Sequence, residues 1–201
     1  MNDKRIDLEL ITSLVDKKIR VLDVGCGNGE LLQSLKTKND VIGQGLELKQ
    51  ERVNQCVEKG LSAIQGDADK DLSLYPDQSF DCVILSQTIQ ATGDPKLILK
   101  ELIRIGKKAI VSIPNFGYWK VRLSLGVNGR MPRTKKLIYN WYDTPNIHLC
   151  TILDFINLCN ELNIQIEKTI TLSSNNNKSF NGLPNKLSNL FSEEAIFLIK
   201  S

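Results

Sequence analysis

The run from Ile19 to Leu32, IRVLDVGCGNGELL, leaves little choice of fold. An apolar, β-branched start, Ile19-Arg20-Val21-Leu22, passes through Asp23-Val24 into glycines at every second position: Gly25, Gly27 and Gly29. A helical pattern opens at once with Glu30-Leu31-Leu32. The order is strand, tight turn, helix. Glycine suits such a turn because a Cβ would block the bend or the approach of a ligand. The helix start adds backbone N–H groups and a positive dipole end, so the turn predicts a site for a polar or anionic group.

The spacing narrows the ligand. A dinucleotide turn reads G-x-G-x-x-G and serves a pyrophosphate. Here the pattern is D-x-G-x-G-x-G, from Asp23 to Gly29. That pattern resembles the first motif of the class I S-adenosylmethionine-dependent methyltransferases. The resemblance implies an α/β fold, a doubly wound Rossmann-like sheet of seven strands with the last antiparallel. It implies S-adenosylmethionine or S-adenosylhomocysteine as ligand, with Asp23, Gly25, Cys26, Gly27 and Gly29 around it.

The rest of the chain supplies elements in a matching order. Arg5 to Asp16 has near-helical apolar spacing. After a helix from about Glu30 to Lys36, Val41 to Leu48 reads as a second strand, with Glu47 near its carboxyl end, 24 residues after Asp23. Ligands of open α/β sheets sit beyond the carboxyl ends of the strands, where a carboxylate can accept bonds from both hydroxyls of a ribose. In the methyltransferases this position does so, which carries the role to Glu47, with Leu48 beside it. A helix over Lys49 to Glu58 ends at Gly60, and Leu61 to Gly66 is a third strand. Asp67 and Ala68 then match the family's adenine-reading pair.

A turn, Tyr75 to Asp81, enters strand four, Cys82 to Leu85, which ends in Ser86-Gln87-Thr88. Ser86 and Gln87 complete the expected cofactor residues. Methyltransferases acting on DNA bases or protein amides carry Asn-Pro-Pro-Tyr or Asp-Pro-Pro-Tyr there, so this sequence disfavours those substrates. Pro95 to Ile105 is a helix closed by Gly106, Lys108 to Ile113 strand five, Ile152 to Leu162 a helix, Ile164 to Thr171 a strand, and Ala195 to Ile199 the last strand. The polar Ser173 to Lys178 reads as a mobile loop. A chain of 201 residues suits one domain.

Asn115 to Ile147 fits neither helix nor strand period throughout. Structureless connections of such length are usually functional or disordered. This one holds Phe116, Tyr118, Trp119, Tyr139, Trp141 and Tyr142, half of the twelve aromatic residues. Its charges are Lys120, Arg122, Arg130, Arg133, Lys135 and Lys136 against Asp143 alone, six minus one or +5, while the whole chain is +3. Aromatic rings with arginine are the composition of an interface hot spot. The same residues also suit a lid over an acidic substrate, or an excursion whose rings fill the core. The basic excess is too small, and no recognised module is present, to argue for nucleic acid.

Three runs in and after this segment are more specific: Pro114 to Arg122, Gly129-Arg130-Met131-Pro132, and Trp141 to Thr151. With Ser86-Gln87-Thr88 and the opening Arg5 to Ile11, they resemble the MetW family of methionine-biosynthesis proteins, over nearly all of the chain up to about Glu167. That family is methyltransferase-like and linked to homoserine O-acyltransferase. The resemblance implies a partner role, with the acyltransferase docking on residues 115–147. No G-x-S-x-G nucleophile elbow occurs, so acylation is not expected of this chain itself.

For catalysis, His148, Asp143 and Tyr142 are the acceptor-side candidates, and no residue pair commits the chain to a chemistry. His148, the single histidine, serves either as a base or structurally. Five scattered cysteines, Cys26, Cys56, Cys82, Cys150 and Cys159, never at C-x-x-C spacing, point away from a zinc site and towards a reducing cytoplasm. No run is apolar enough for a membrane span, and the opening MNDKRIDLEL has no signal-peptide core.

Overall fold

A computed structural model describes residues 5–134, 137–173, 178–181 and 183–201. Helix α1 (Ile6–Leu14) precedes strand β1 (Arg20–Val24) and helix α2 (Glu30–Asn39). Strand β2 (Ile42–Glu47), helix α3 (Gln50–Glu58) and strand β3 (Ser62–Gln65) follow, then the single turn α4 (Ala68–Asp71). Strand β4 (Phe80–Ser86), helix α5 (Pro95–Ile105) and strand β5 (Gly106–Pro114) continue the alternation. Helix α6 (Trp119–Asn128), helix α7 (Ile152–Glu161), strand β6 (Gln165–Leu172), strand β7 (Lys178–Asn181), helix α8 (Lys186–Phe191) and strand β8 (Glu194–Lys200) complete it.

The strands form one sheet in the order β3-β2-β1-β4-β5-β8-β6-β7. β1 to β5 are parallel, and β8 runs antiparallel to both β5 and β6. Seven strands make the expected frame. The eighth, β7, pairs antiparallel with the free edge of β6. The stretch expected as a polar loop lies largely outside the described residues, and its last residue, Lys178, is already in β7.

Both faces are covered, and the period of two decides which residue faces which layer. Leu22, Val24, Val83, Leu85, Val111 and Phe197 pack against α5 and α7, where Phe155 stacks on Phe197 with ring centroids 4.4 Å apart. Val21, Ile84, Ile110 and Ile196 face the other way, onto Ile11 of α1 and Leu31 and Leu35 of α2. α5 starts at Pro95, in its first turn as the sequence predicts, and the structure adds a cap: Asp94 accepts from the N–H groups of Lys96 and Leu97.

The segment 115–147 departs from expectation at α6, which no apolar period announced. Only Val121 of this helix is buried, while Leu123, Leu125 and Val127 are exposed. Gly129, at φ +60°, ends it. Under it lies a satellite cluster of Tyr118, Val121 and Leu137 with Phe116 against them. Two of the segment's six rings therefore fill a small core, while Tyr139, Trp141 and Tyr142 are exposed and Trp119 is at the border.

Candidate functional site

The sheet order reverses between β2 on one side of β1 and β4 on the other, and a crevice opens there at the carboxyl ends of the strands. The turn after β1 and the residues after β4 meet at this point in a cleft of about 730 Å³.

The turn is fixed mostly by its own backbone. Gly25 N–H and Cys26 N–H both donate to the Leu46 carbonyl, at 2.7 and 3.2 Å, and Gly29 N–H donates to the Cys26 carbonyl at 3.0 Å. All three glycines have positive φ: +73°, +56° and +81°. They differ in what surrounds them. A Cβ on Gly25 would meet Thr88 Oγ1 at 2.8 Å, and one on Gly29 would meet Leu61 Cδ1 at 2.6 Å. One on Gly27 would meet nothing within 4 Å among the described residues. Gly27 thus borders open space, and Gly29 is needed for packing.

Glu47 ties the turn to β2. Its Oε2 accepts from Gly27 N–H at 2.9 Å and its Oε1 from Lys49 N–H at 3.0 Å, with Arg52 Nη1 3.9 Å away. The expectation that the turn offers its N–H groups to a ligand is corrected here: those of Gly25, Cys26, Gly27 and Gly29 are already bonded within the chain. A carboxylate has about four acceptor sites, so two bonds leave Glu47 capacity for hydroxyl donors.

Beside it, Asp23 is 2% exposed. Burial, and then the nearby Glu47 charge, push its carboxyl up to about 7. Such a group favours a proton or a cation next to it. Burial likewise raises the Cys26 thiol well above its usual range, and all five cysteines are free.

Of the residues expected from sequence, Asp23, Gly25, Cys26, Gly27, Ser86 and Gln87 line the cleft. Gly29 and Glu47 are not in the lining, and Glu47 bonds the Gly27 N–H of the turn that is. Leu48 is 61% exposed, and neither it nor Asp67 and Ala68 is in the lining. Asp67 caps α4, accepting from Asp69 N–H at 3.1 Å and pairing with Lys70 at 2.8 Å; the Lys70 bond holds its carboxyl below the usual carboxylate range. Among the acceptor-side candidates only Asp143 reaches the lining, its carboxylate accepting from Asn140 N–H and Nδ2. Tyr142 is exposed, and His148 is anchored by its backbone N–H to the Gln90 carbonyl at 3.0 Å.

Sequence reading missed Arg5, Asp7, Thr88 and Gln90, which line the inner end with Ile138 and Tyr139. The apolar pattern of α1 had shown only a covering helix. Its polar first turn, Arg5-x-Asp7, was the available signal.

A family model described as "Methionine biosynthesis protein MetW" matches residues 5–199. The chain belongs to the MetW family. A bifunctional methionine biosynthesis protein MetXA/MetW from Rhodopirellula baltica is 33% identical over 174 residues, 82% of this chain and 28% of that protein. Ajmaline N-methyltransferase from Rauvolfia serpentina is 25% identical over 80% of this chain and 57% of its own length. The chain thus spans less than two thirds of either relative.

Solved structures share the fold. An S-adenosylmethionine-dependent methyltransferase from Mesorhizobium loti superposes with a TM-score of 0.70 at 14% identity, covering 99% of both chains. A possible histamine N-methyltransferase from Thermotoga maritima gives 0.68 at 16% identity, covering 97% of this chain and 87% of that one. The chain therefore has the methyltransferase fold and belongs to a family described by its part in methionine biosynthesis. Among the described residues no helix is long and apolar enough to cross a membrane.

Proposed function

We propose that this MetW-family chain binds S-adenosylmethionine or S-adenosylhomocysteine in the cleft and acts as partner and activator of a homoserine O-acyltransferase in the cytoplasm. The carrying observation for the partner is the relative from Rhodopirellula baltica, whose name joins MetXA and MetW in one protein. The carrying observation for the ligand is the fit of the floor. Gly27 opens onto the cleft, Asp23 offers a carboxylate lacking a hydrogen-bond partner among the described residues, and Glu47 keeps acceptor capacity. Asp23, the glycine turn and Glu47 would hold the ligand, with Ser86 and Gln87 on its other side and Leu48, Asp67 and Ala68 towards the base. S-adenosylmethionine would supply an electrophilic methyl group. The acyltransferase would dock on the outer side of residues 115–147, where Trp141 and Tyr142 stand exposed.

A second reading is catalytic methyl transfer to a small molecule. It is favoured by the extent of the cleft, which continues past the turn to Asp7, Gln90 and Asp143 and so has room for an acceptor. Labelled-methyl turnover, with and without homoserine and the acyltransferase of the same organism, separates the two. Activation of the acyltransferase without methyl transfer supports the partner role, and turnover without the acyltransferase supports the enzyme. Calorimetry with S-adenosylhomocysteine tests the ligand. Glu47→Ala removes a charged acceptor and should weaken binding about ten- to a hundredfold. No binding by the wild type removes the cofactor reading, and equal binding by the variant removes Glu47 from the site.

A further inference from the structure

The inner end of the cleft is built around a charge, and the charge comes from the chain's own Arg5. Its Nη2 lies 2.7 Å from Asp7 Oδ2 and its Nε 3.2 Å from Asp7 Oδ1, with Glu30 Oε2 3.8 Å from Nη1. Glu194, at the start of β8 and fully buried, adds its field, and the hydrogen bond to Asp7 raises the guanidinium pKa most. Asp7 is 1% exposed, yet Arg5, which pairs with it, is half exposed. A second observation concerns Gln90, which lines the same cleft and is 4% exposed. Its Nε2 donates to the Gln87 carbonyl at 2.8 Å, which fixes the orientation of the amide. Its Oε1 is therefore the remaining atom, and it has no partner among the described residues. A buried acceptor without a donor is rare and calls for one.

We propose that this end of the cleft is a second subsite, taking a small molecule that carries an ammonium group. In it the ammonium would meet Asp7 and Glu30 in place of Arg5 and donate one N–H to Gln90 Oε1. Arg5 occupies the charged part of the subsite from within the chain, so an incoming amine displaces it. Gln87 closes the back: its φ of +53° is held by N–H bonds to Ser112 and a side-chain bond to Glu194. Strain of that kind persists only where its surroundings enforce it. The proposal rests on the reading that the glycine-turn half takes the adenosyl ligand.

The test uses the full chain saturated with S-adenosylhomocysteine and three amines, L-homoserine, ethanolamine and putrescine. Each is titrated beside its counterpart without nitrogen: 4-hydroxybutyrate, ethylene glycol and 1,4-butanediol. At least one amine should bind about tenfold or more tightly than its counterpart, as a lost bond to a charged group implies. Gln90→Leu should lower that amine's affinity by about tenfold and leave S-adenosylhomocysteine binding unchanged. Arg5→Met should raise the amine's affinity several-fold, and serves as the second variant if Gln90→Leu does not fold. The proposal is overturned if none of the amines binds, if amine and counterpart bind equally, or if Arg5→Met leaves the affinity unchanged or lowers it. Failure of S-adenosylhomocysteine itself to bind counts against the cofactor reading alone, and the amine titrations are then read on the ligand-free protein.

Discussion

The floor and the roof of the cleft are made differently. The floor is backbone: a glycine turn closed by Leu46 and Cys26 carbonyls, tied to β2 by Glu47, and backed by Leu61 and Cys56 in the core. The roof, residues 115–134 and 137–149, stands on a satellite cluster of Tyr118, Val121 and Leu137 with Phe116 packed on it, and is tied down at its two ends: Asn115 and Phe116 N–H groups donate to the Glu193 and Cys150 carbonyls, and Ile147 and His148 N–H groups to the Gln90 carbonyl. Hydrogen-bonded backbone inside a packed sheet opens only near the global unfolding free energy, whereas a segment with few buried contacts opens locally at lower cost. On the proposed function the floor would hold the ligand and the roof would answer the partner.

The strongest test of the floor compares two of its glycines. Gly29→Val forces a branched residue into φ +81° and drives its Cβ to 2.6 Å from Leu61 and 2.9 Å from Cys56, both buried. Backbone strain and overpacking together should cost about 5 kcal/mol in denaturant unfolding. Gly27→Val meets no atom of the described residues within 4 Å and carries only the strain of φ +56°, about 1–3 kcal/mol. It should fold and lose S-adenosylhomocysteine, because its side chain takes up the open space. Equal destabilisation by the two would dissolve the distinction between packing glycine and ligand-facing glycine.

A smaller effect follows from Asp23, whose carboxyl is raised from an ordinary 3.8 to about 7 by burial and by Glu47. Between those values the folded chain binds more proton than the unfolded one. Its contribution to stability is therefore fully present below about pH 4, falls as pH rises through about 7, and stays low above that. The slope approaches about 1.4 kcal/mol per pH unit inside the window. Asp23→Asn should gain on the wild type over the same window, read as the difference between two unfolding series. Parallel series would place the charge in water instead of in the floor.

What was legible in the sequence divides along the same line. Floor and sheet were readable because their signals are local: alternating glycines, β-branched runs, Pro95 in the first turn of α5, Gly60 and Gly106 closing helices. Helix α6 was not readable, since its apolar residues Leu123, Leu125 and Val127 face outward and obey no buried stripe. Nor was the inner end of the cleft. Arg5, Asp7 and Gln90 stand 83 to 85 positions apart across the gap from residue 5 or 7 to residue 90, and only the folded chain brings them to one cavity. β7 escaped because a four-residue strand at the edge of a polar stretch has no period to show. The sorting of the six rings between core and surface depended on which side of residues 115–147 faces the sheet, a tertiary fact.

That sorting sharpens the last prediction, which concerns the roof. Trp141 and Tyr142 stand edge to face, ring centroids 5.7 Å apart, and are 75% and 71% exposed. Trp119 is 38% exposed, beside the buried Tyr118 and with Lys120 Nζ 5.6 Å above its ring. If the acyltransferase docks here, its anchor is Trp141 more than Trp119. Trp141→Ala should weaken the complex by about 2 kcal/mol and leave folding untouched, while Trp119→Ala divides its cost between binding and stability. Charges at the rim should act on encounter instead. Arg130→Ala and Arg133→Ala should slow association a few-fold, less as salt rises, with dissociation unchanged. The same is expected of Lys135→Ala and Lys136→Ala, at positions outside the described residues. Interferometry on the co-purified complex, with circular dichroism on each variant, reads both effects. No association at micromolar concentration, with or without S-adenosylmethionine, would remove the partner. Association that survives a folded Trp141→Ala, Trp119→Ala double variant would keep the partner and move it off the roof, leaving the contrast between the two walls as one of packing alone.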